Sequence, residues 1–170
     1  MNKGEIFLAG GCFWGTEKFF SLLNGVLEHE VGYANGSSKL VTYREVCAGS
    51  GHAEVVRLVV DFDILTLKEL LSLFLEIIDP FSLNRQGNDV GVQYRSGVYF
   101  LDRLLLSEAN EILKELNSGY HKDFVIETGL VENYCKAEEH HQDYLLKNPG
   151  GYCHIGFDKF IKALEHGKKN

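Results

Sequence analysis

What the 170-residue chain has little of narrows its options first. It has no basic cluster: 17 Lys and Arg stand against 24 Asp and Glu, for a formal net charge of −7, which argues against general nucleic-acid binding. No apolar run nears the roughly 20 residues that a membrane span needs. Met1-Asn2-Lys3-Gly4-Glu5 leads straight into a strand pattern with no leader to remove, so a reducing cytoplasm is the expected location. There is no C-x-x-C pair among Cys12, Cys47, Cys135 and Cys153. Neither a zinc ribbon nor a thioredoxin-type motif is therefore signalled, and in such a compartment the four are mostly thiols. Internal repeats, low-complexity stretches and linkers are absent. With 45% hydrophobic residues, the chain reads as one domain over residues 1–170, large enough to bury a core without staples.

What is present centres on Gly10-Gly11-Cys12-Phe13-Trp14-Gly15. The apolar run Ile6-Phe7-Leu8-Ala9 before it reads as a buried strand, and the stretch from Thr16 to Asn24, closed by Gly25, as a helix. Cys12 then sits where a strand ends and a helix begins. Unpaired N–H groups at a helix N-terminus favour negative charge, so the thiol is expected to be more acidic than a free one. Phe13 and Trp14, the only tryptophan, suggest a pocket for a small apolar group beside it.

Gly25 to Tyr33 reads as a strand, and Ala53 to Phe62 is the clearest one, with Val56, Leu58, Val60 and Phe62 on one face by period two. Glu54 shares that apolar face. Either it is buried, desolvated and able to hold a proton near neutrality, or it sits at the strand's first turn and reaches solvent. Thr66-Leu67-Lys68-Glu69 is a capping box opening a helix that Asp79-Pro80 stops. A long polar loop, Asn84 to Ser96, precedes a strand over Gly97–Leu101. Ser107 is expected to cap a helix that Gly119 ends, with Ala109, Ile112, Leu113 and Leu116 inward. A strand over Asp123–Glu132, a helix over Ala137–Lys147, a flexible Gly150-Gly151-Tyr152-Cys153 and an amphipathic helix over Phe157–Leu164 complete the chain. The irregular mixing favours a layered α+β domain.

Six ordered motifs carry a resemblance. Gly-Cys-Phe-Trp-Gly holds Cys12, Gly-His-Ala-Glu holds Glu54, and Gly-Asn-Asp-Val-Gly-Val-Gln-Tyr-Arg-Ser holds Asp89 and Tyr94. Thr42-Tyr43-Arg44-Glu45-Val46-Cys47, Ala137-Glu138 with His141-Gln142-Asp143-Tyr144-Leu145, and Asn148-Pro149-Gly150-Gly151-Tyr152-Cys153 follow the same pattern. Over residues 5 to 156 the sequence resembles the A-type peptide methionine sulfoxide reductases. The resemblance implies a two-layer α/β sandwich with a ferredoxin-like core and a long irregular C-terminal segment. It implies reduction of methionine-S-sulfoxide, free or in proteins, by Cys12, with Glu54 as proton donor. Tyr43, Asp89 and Tyr94 would organise hydrogen bonds around the sulfoxide oxygen, and Phe13 and Trp14 would hold the S-methyl group. Cys153, flanked by glycines, would resolve the sulfenic acid as a disulfide, with thioredoxin as reductant. No metal or organic cofactor is implied, and a monomer is expected. Cys135 stands where relatives are usually aromatic and is the other thiol able to resolve. Cys47 reads as a buried structural residue.

Two other readings use the same residues. A cysteine acyl-transferase or hydrolase would activate Cys12 through His52 or His141. A redox-switch or metal-binding module would gather Cys135, His140, His141, Cys153 and His154, although their spacing matches no standard zinc pattern.

Overall fold

A computed structural model describes residues 2–169. Four strands form the centre of the sheet: β1 (Lys3–Ala9), β2 (Val26–Ala34), β3 (Ala53–Asp61) and β6 (Gly97–Phe100). Their spatial order is β6-β1-β3-β2, with every neighbouring pair antiparallel. Helix α1 (Phe13–Ser21) joins β1 to β2, and helix α3 (Leu67–Glu76) lies between β3 and β6. This βαββαβ order is the ferredoxin-like core implied by the resemblance. Strand β7 (Glu127–Leu130) adds parallel to β6, and β8 (Cys135–Lys136) adds antiparallel to β2. A two-stranded hairpin, β4 (Arg85–Gln86) with β5 (Asp89–Val90), stands apart.

Period two divides the residues of the sheet between its faces. Ile6 and Leu8 on β1 and Val56, Leu58 and Val60 on β3 join the main core with Phe19 and Phe20 of α1 and Leu70 and Phe74 of α3. The two phenylalanines are fully buried, each gaining roughly 2–3 kcal/mol from leaving water. Phe7, Ala9, Ala53, Val55 and Tyr99 face the other way, into a small cluster partly covered by Val131 and Tyr134. On this side Arg57 grips Glu5 with two hydrogen bonds of 3.0 and 3.2 Å.

Several boundaries differ from expectation. Helix α1 begins at Phe13 rather than Thr16, which makes Cys12 its N-cap residue. The Thr42–Cys47 stretch is a short helix, α2 (Tyr43–Cys47), opened by a second capping box between Thr42 and Glu45. Helix α4 (Arg103–Asn117) is capped by Asp102, whose carboxylate accepts from the N–H groups of Leu104 and Leu105; Ser107 lies inside it. The strand expected over 123–132 shortens to β7. The helix expected over 137–147 breaks into a single 3-10 turn, Glu139–His141, and α5 (Tyr144–Lys147). The break falls at Asp143, whose φ of 51° is left-handed. Helix α6 (Phe157–Lys169) closes the chain. Among the described residues no helix is long and apolar enough to cross a membrane.

Candidate active site

Cys12 stands between the end of β1 and the first turn of α1, with extended backbone at φ −61° and ψ 126°. The approach requires glycine at Gly11: its φ is +80°, and a Cβ there would lie 2.8 Å from the Gln86 side chain and 3.0 Å from the His154 ring. The Cys12 residue is 7% exposed. The backbone N–H of Trp14, in the first turn of α1, pulls the thiol pKa down. Burial and then the carboxyl of Glu54 act more strongly in the other direction, Asp89 adds a smaller push the same way, and the thiol ends well above its ordinary value. The expectation of an acidified thiol is therefore corrected: desolvation outweighs the helix terminus here.

Glu54 resolves to the buried alternative. It is 2% exposed, and its Oε1 accepts the Phe13 N–H at 3.1 Å. Burial, and secondarily the charge of Asp89, pushes its carboxyl up to about 8, against the pull of that hydrogen bond. It is a protonated acid at neutral pH.

Tyr43 is the first residue of α2 and Tyr94 ends a 3-10 turn, Val92–Tyr94, after the hairpin. Both phenols are pushed up, mainly by burial and then by neighbours that include Glu54, so both remain donors. Asp89 acts electrostatically on Glu54, Tyr94 and Cys12, and its Oδ2 accepts the Tyr152 hydroxyl at 3.1 Å. Cys12, Tyr43, Tyr94 and Asp89, which with Glu54 come from four separate stretches of chain, thus all lie within electrostatic reach of Glu54. Phe13 is 1% exposed and packs on Tyr33 and His141, so it belongs to the core as much as to any pocket. Trp14 is partly open, and Tyr144 stacks on it at 3.7 Å between centroids and 14° between planes.

The remaining cysteines separate. The Cys153 sulfur lies against Gly15 of α1, where a Cβ would come within 2.6 Å of it, and its charge would bear on Cys12. Cys135, on β8, points its sulfur at the carbonyl of Val41 and is not among the groups that act on Cys12. Cys47 is exposed rather than buried, a correction that follows from α2: one turn beyond Tyr43, it faces that side chain at the rim of the site.

Residues that sequence reading left without a role hold the site together. Glu138 accepts the Tyr33 hydroxyl at 2.8 Å and the Tyr43 N–H at 3.0 Å. The Gln142 amide both accepts from and donates to the backbone of Val31, at 2.9 Å each, as a further strand residue would. Glu17 of α1 accepts the Asp143 N–H at 2.7 Å. Segment 137–147 is thus strapped across β2 and α1. The motif containing these residues was visible in the sequence, but their partners are more than 90 residues away.

For the acyl-transfer reading, no hydrogen bond joins Cys12 to His52 or His141 among the described residues, and His141 Nδ1 accepts the Trp14 indole N–H. His52 is fully buried and spends both ring nitrogens on Ser50 Oγ and the Ser38 carbonyl, 2.8 Å each. Cys135, His140, His141, Cys153 and His154 form no common ligand set. Among the described residues the one grouping close enough to hold an ion is Glu17, His29 and Asp143. These three line a cleft of about 420 Å³ beside Trp14 and Tyr144, which Cys12 and Glu54 do not border.

A buried sulfur nucleophile beside a protonated carboxyl, with a second thiol near, is the equipment of a cysteine-based oxidoreductase. Comparison with known proteins narrows this. The family described as "Peptide methionine sulfoxide reductase" matches residues 4–170. MsrA of Clostridium perfringens is 54% identical over 155 residues, covering 91% of this chain and 99% of that one. MsrA of Lachnoclostridium phytofermentans is 52% identical over 164 residues, covering 96% and 98%. Reduced Mxr1 of Saccharomyces cerevisiae superposes with a TM-score of 0.83 at 38% identity, covering 89% of this chain and 88% of that one. The same yeast protein in complex with Trx2 superposes with a TM-score of 0.59 at 25% identity, covering 84% of each chain. The chain belongs to the peptide methionine sulfoxide reductase family, in its MsrA branch, and reduces methionine sulfoxide.

Proposed function

We propose that the chain reduces the S epimer of methionine sulfoxide, free or in proteins, through Cys12 and Glu54. The observation that carries the reading is the buried Glu54 carboxyl, protonated at neutral pH and held at the first turn of α1 beside the nucleophile. Cys12 attacks the sulfoxide sulfur. Glu54 gives its proton to the oxygen as the S–O bond weakens, and recovers one from the thiol. Tyr43 and Tyr94 donate hydrogen bonds to the developing hydroxyl, with Asp89 orienting the donors. Trp14, backed by Phe13, holds the S-methyl group. Methionine leaves and the oxygen stays on Cys12 as a sulfenic acid. Cys153 condenses with it, releasing water and forming a disulfide, and a thioredoxin reduces that disulfide to two thiols. The yeast relative solved with Trx2 supports that choice of reductant.

The test is turnover of an S-sulfoxide and of its R epimer, with dithiothreitol and separately with thioredoxin and its reductase. Cys12→Ser is expected to be inactive with both reductants, Cys153→Ser to fail with thioredoxin alone, and Cys135→Ser to match wild type. Normal thioredoxin cycling by Cys153→Ser moves the resolving role to Cys135. Reduction of the R epimer overturns the stereochemical assignment.

A further inference from the structure

Closing the disulfide needs a base. The Cys153 thiol is half-buried and donates to the Ile155 carbonyl at 3.6 Å. Burial holds its pKa above the ordinary value, against the weaker pulls of the Ile155 N–H and of Lys18. Cys153 is therefore a protonated thiol at neutral pH, whereas the thiolate is the nucleophile. Glu54 cannot take that proton, because it has just recovered one from Cys12. Asp89 is engaged by the Tyr152 hydroxyl at 3.1 Å.

The residue after Cys153 is in an unsatisfied state. Both ring nitrogens of His154 are buried, and neither has a hydrogen-bond partner among the described residues. A neutral imidazole has one donor and one acceptor to place, and leaving both idle in the interior is unfavourable. The ring lies against Gly11, where a Cβ would be 3.0 Å from Cε1 and from Nε2. The Cys153 sulfur lies against Gly15, where a Cβ would be 2.6 Å from it. Gly11 and Gly15 stand on either side of Cys12, so the imidazole and the second thiol close on the β1–α1 turn from its two ends. Burial holds the imidazole below its ordinary value, against Asp89 and the nearby Gly10 carbonyl. At neutral pH it is uncharged and able to accept a proton.

We propose that His154 is the base of the resolving step, taking the proton of Cys153 and returning it to the oxygen that leaves Cys12. The proposal rests on the reading of Cys153 as the resolving thiol. The Cys153 S–H bond breaks toward an imidazole nitrogen, and the electron pair left on sulfur forms the S–S bond to Cys12. The S–O bond of the sulfenic acid breaks with its pair going to oxygen, and the imidazolium protonates that oxygen to water. Cys153 is oxidised, the sulfenic sulfur is reduced, and His154 ends as it began. Residues 148–156 hold no helix or strand, so the imidazole travels with its neighbour as the two sulfurs meet.

The experiment is a single turnover without external reductant. Reduced protein is mixed with excess N-acetylmethionine-S-sulfoxide and quenched in acid over time. N-acetylmethionine reports the first step, peptide mapping of the disulfide reports the second, and dimedone labels the sulfenic acid between them. The proteins are wild type, His154→Ala, His154→Gln and Cys153→Ser. In both His154 variants N-acetylmethionine is expected to form at the wild-type rate, while the Cys12–Cys153 bond forms about 10²–10⁴-fold more slowly and dimedone-labelled Cys12 accumulates. Gln forms hydrogen bonds but carries no proton between groups, so it does not restore the rate; added imidazole accelerates His154→Ala. A wild-type rate of disulfide formation in either variant overturns the proposal. So does slowed formation of N-acetylmethionine in both, which places His154 in the first step, and so does a slow His154→Ala that imidazole does not accelerate, which lost packing explains. A disulfide that maps to Cys12 and Cys135 in wild type overturns the resolving assignment beneath the proposal. That result is told apart because Cys153→Ser then forms its disulfide at the wild-type rate.

Discussion

At the residue scale, burial raises the pKa of both Cys12 and Glu54, and only for Glu54 does this change the state held at neutral pH. Glu54 titrates at about 8 when folded against an ordinary 4.5. Turnover should therefore fall as pH rises through about 8, where the acid loses its proton. Glu54→Gln should lower turnover by about 10²–10⁴ and remove that alkaline limb, which a pH profile with dithiothreitol measures. The same substitution should make Cys12 easier to alkylate at pH 9, because the carboxylate charge that raises the thiol is gone; iodoacetamide labelling gives the rate. Stability should move too. Below pH 4.5 folded and unfolded chains both hold the proton; between 4.5 and about 8 the unfolded chain releases it first, so folding weakens across that window. Glu54→Gln is then expected to raise the melting temperature at pH 7 to 8. Glycines framed Cys12 in the sequence and period two put Glu54 on an apolar face, but that pattern left open whether Glu54 is buried, and its role as proton donor was implied by the resemblance alone. The ionisation of Cys12 was not legible, since the helix terminus is a local feature and burial is not.

At the element scale, caps decide what a linear reading gets right. The Thr66 box forms as the sequence suggests. The identical Thr42–Glu45 spacing went unread because only five helical residues follow it. Ser107 looked like a cap, but Asp102 starts α4 a turn earlier. Asp102→Ala should therefore cost about 1 kcal/mol in urea unfolding, while Ser107→Ala, in the helix interior, should be close to neutral. The strap was legible as a motif and illegible as a structure. Its helical pattern is overruled by Gln142, which completes the hydrogen bonding of Val31, and by the left-handed Asp143 that follows. Gln142→Ala removes the partner of the Val31 N–H, while the Val31 carbonyl keeps the Ala137 N–H at 3.0 Å, and should cost roughly 1–3 kcal/mol. It should also open segment 137–147 to protease, read by the timing of the first cut.

At the scale of the whole molecule, the two thiols of the proposed cycle sit in parts of different regularity. Cys12 is fixed between β1 and α1, whereas Cys153 lies in residues 148–156, which hold no helix or strand. The fold superposes better on the reduced yeast relative than on its Trx2 complex, with TM-scores of 0.83 and 0.59. Oxidation to the Cys12–Cys153 disulfide should change amide exchange chiefly across 148–156 and around Asp89, which Tyr152 ties to that segment, and leave the central strands unchanged; a uniform change would argue against a local rearrangement. The layered class of the domain was legible because β1 is an apolar run and β3 alternates cleanly, whereas the ferredoxin-like core was implied by the resemblance alone. The tail was not, because its course is set by contacts with α1 and β2. The depth at which α1 and the sheet hold Cys12 also matters for an enzyme that meets its substrate when peroxide is abundant. Peroxide reacts with the ionised sulfur. A sulfur that keeps its proton until a sulfoxide arrives presents little of that form, and so is spared oxidation by peroxide between turnovers.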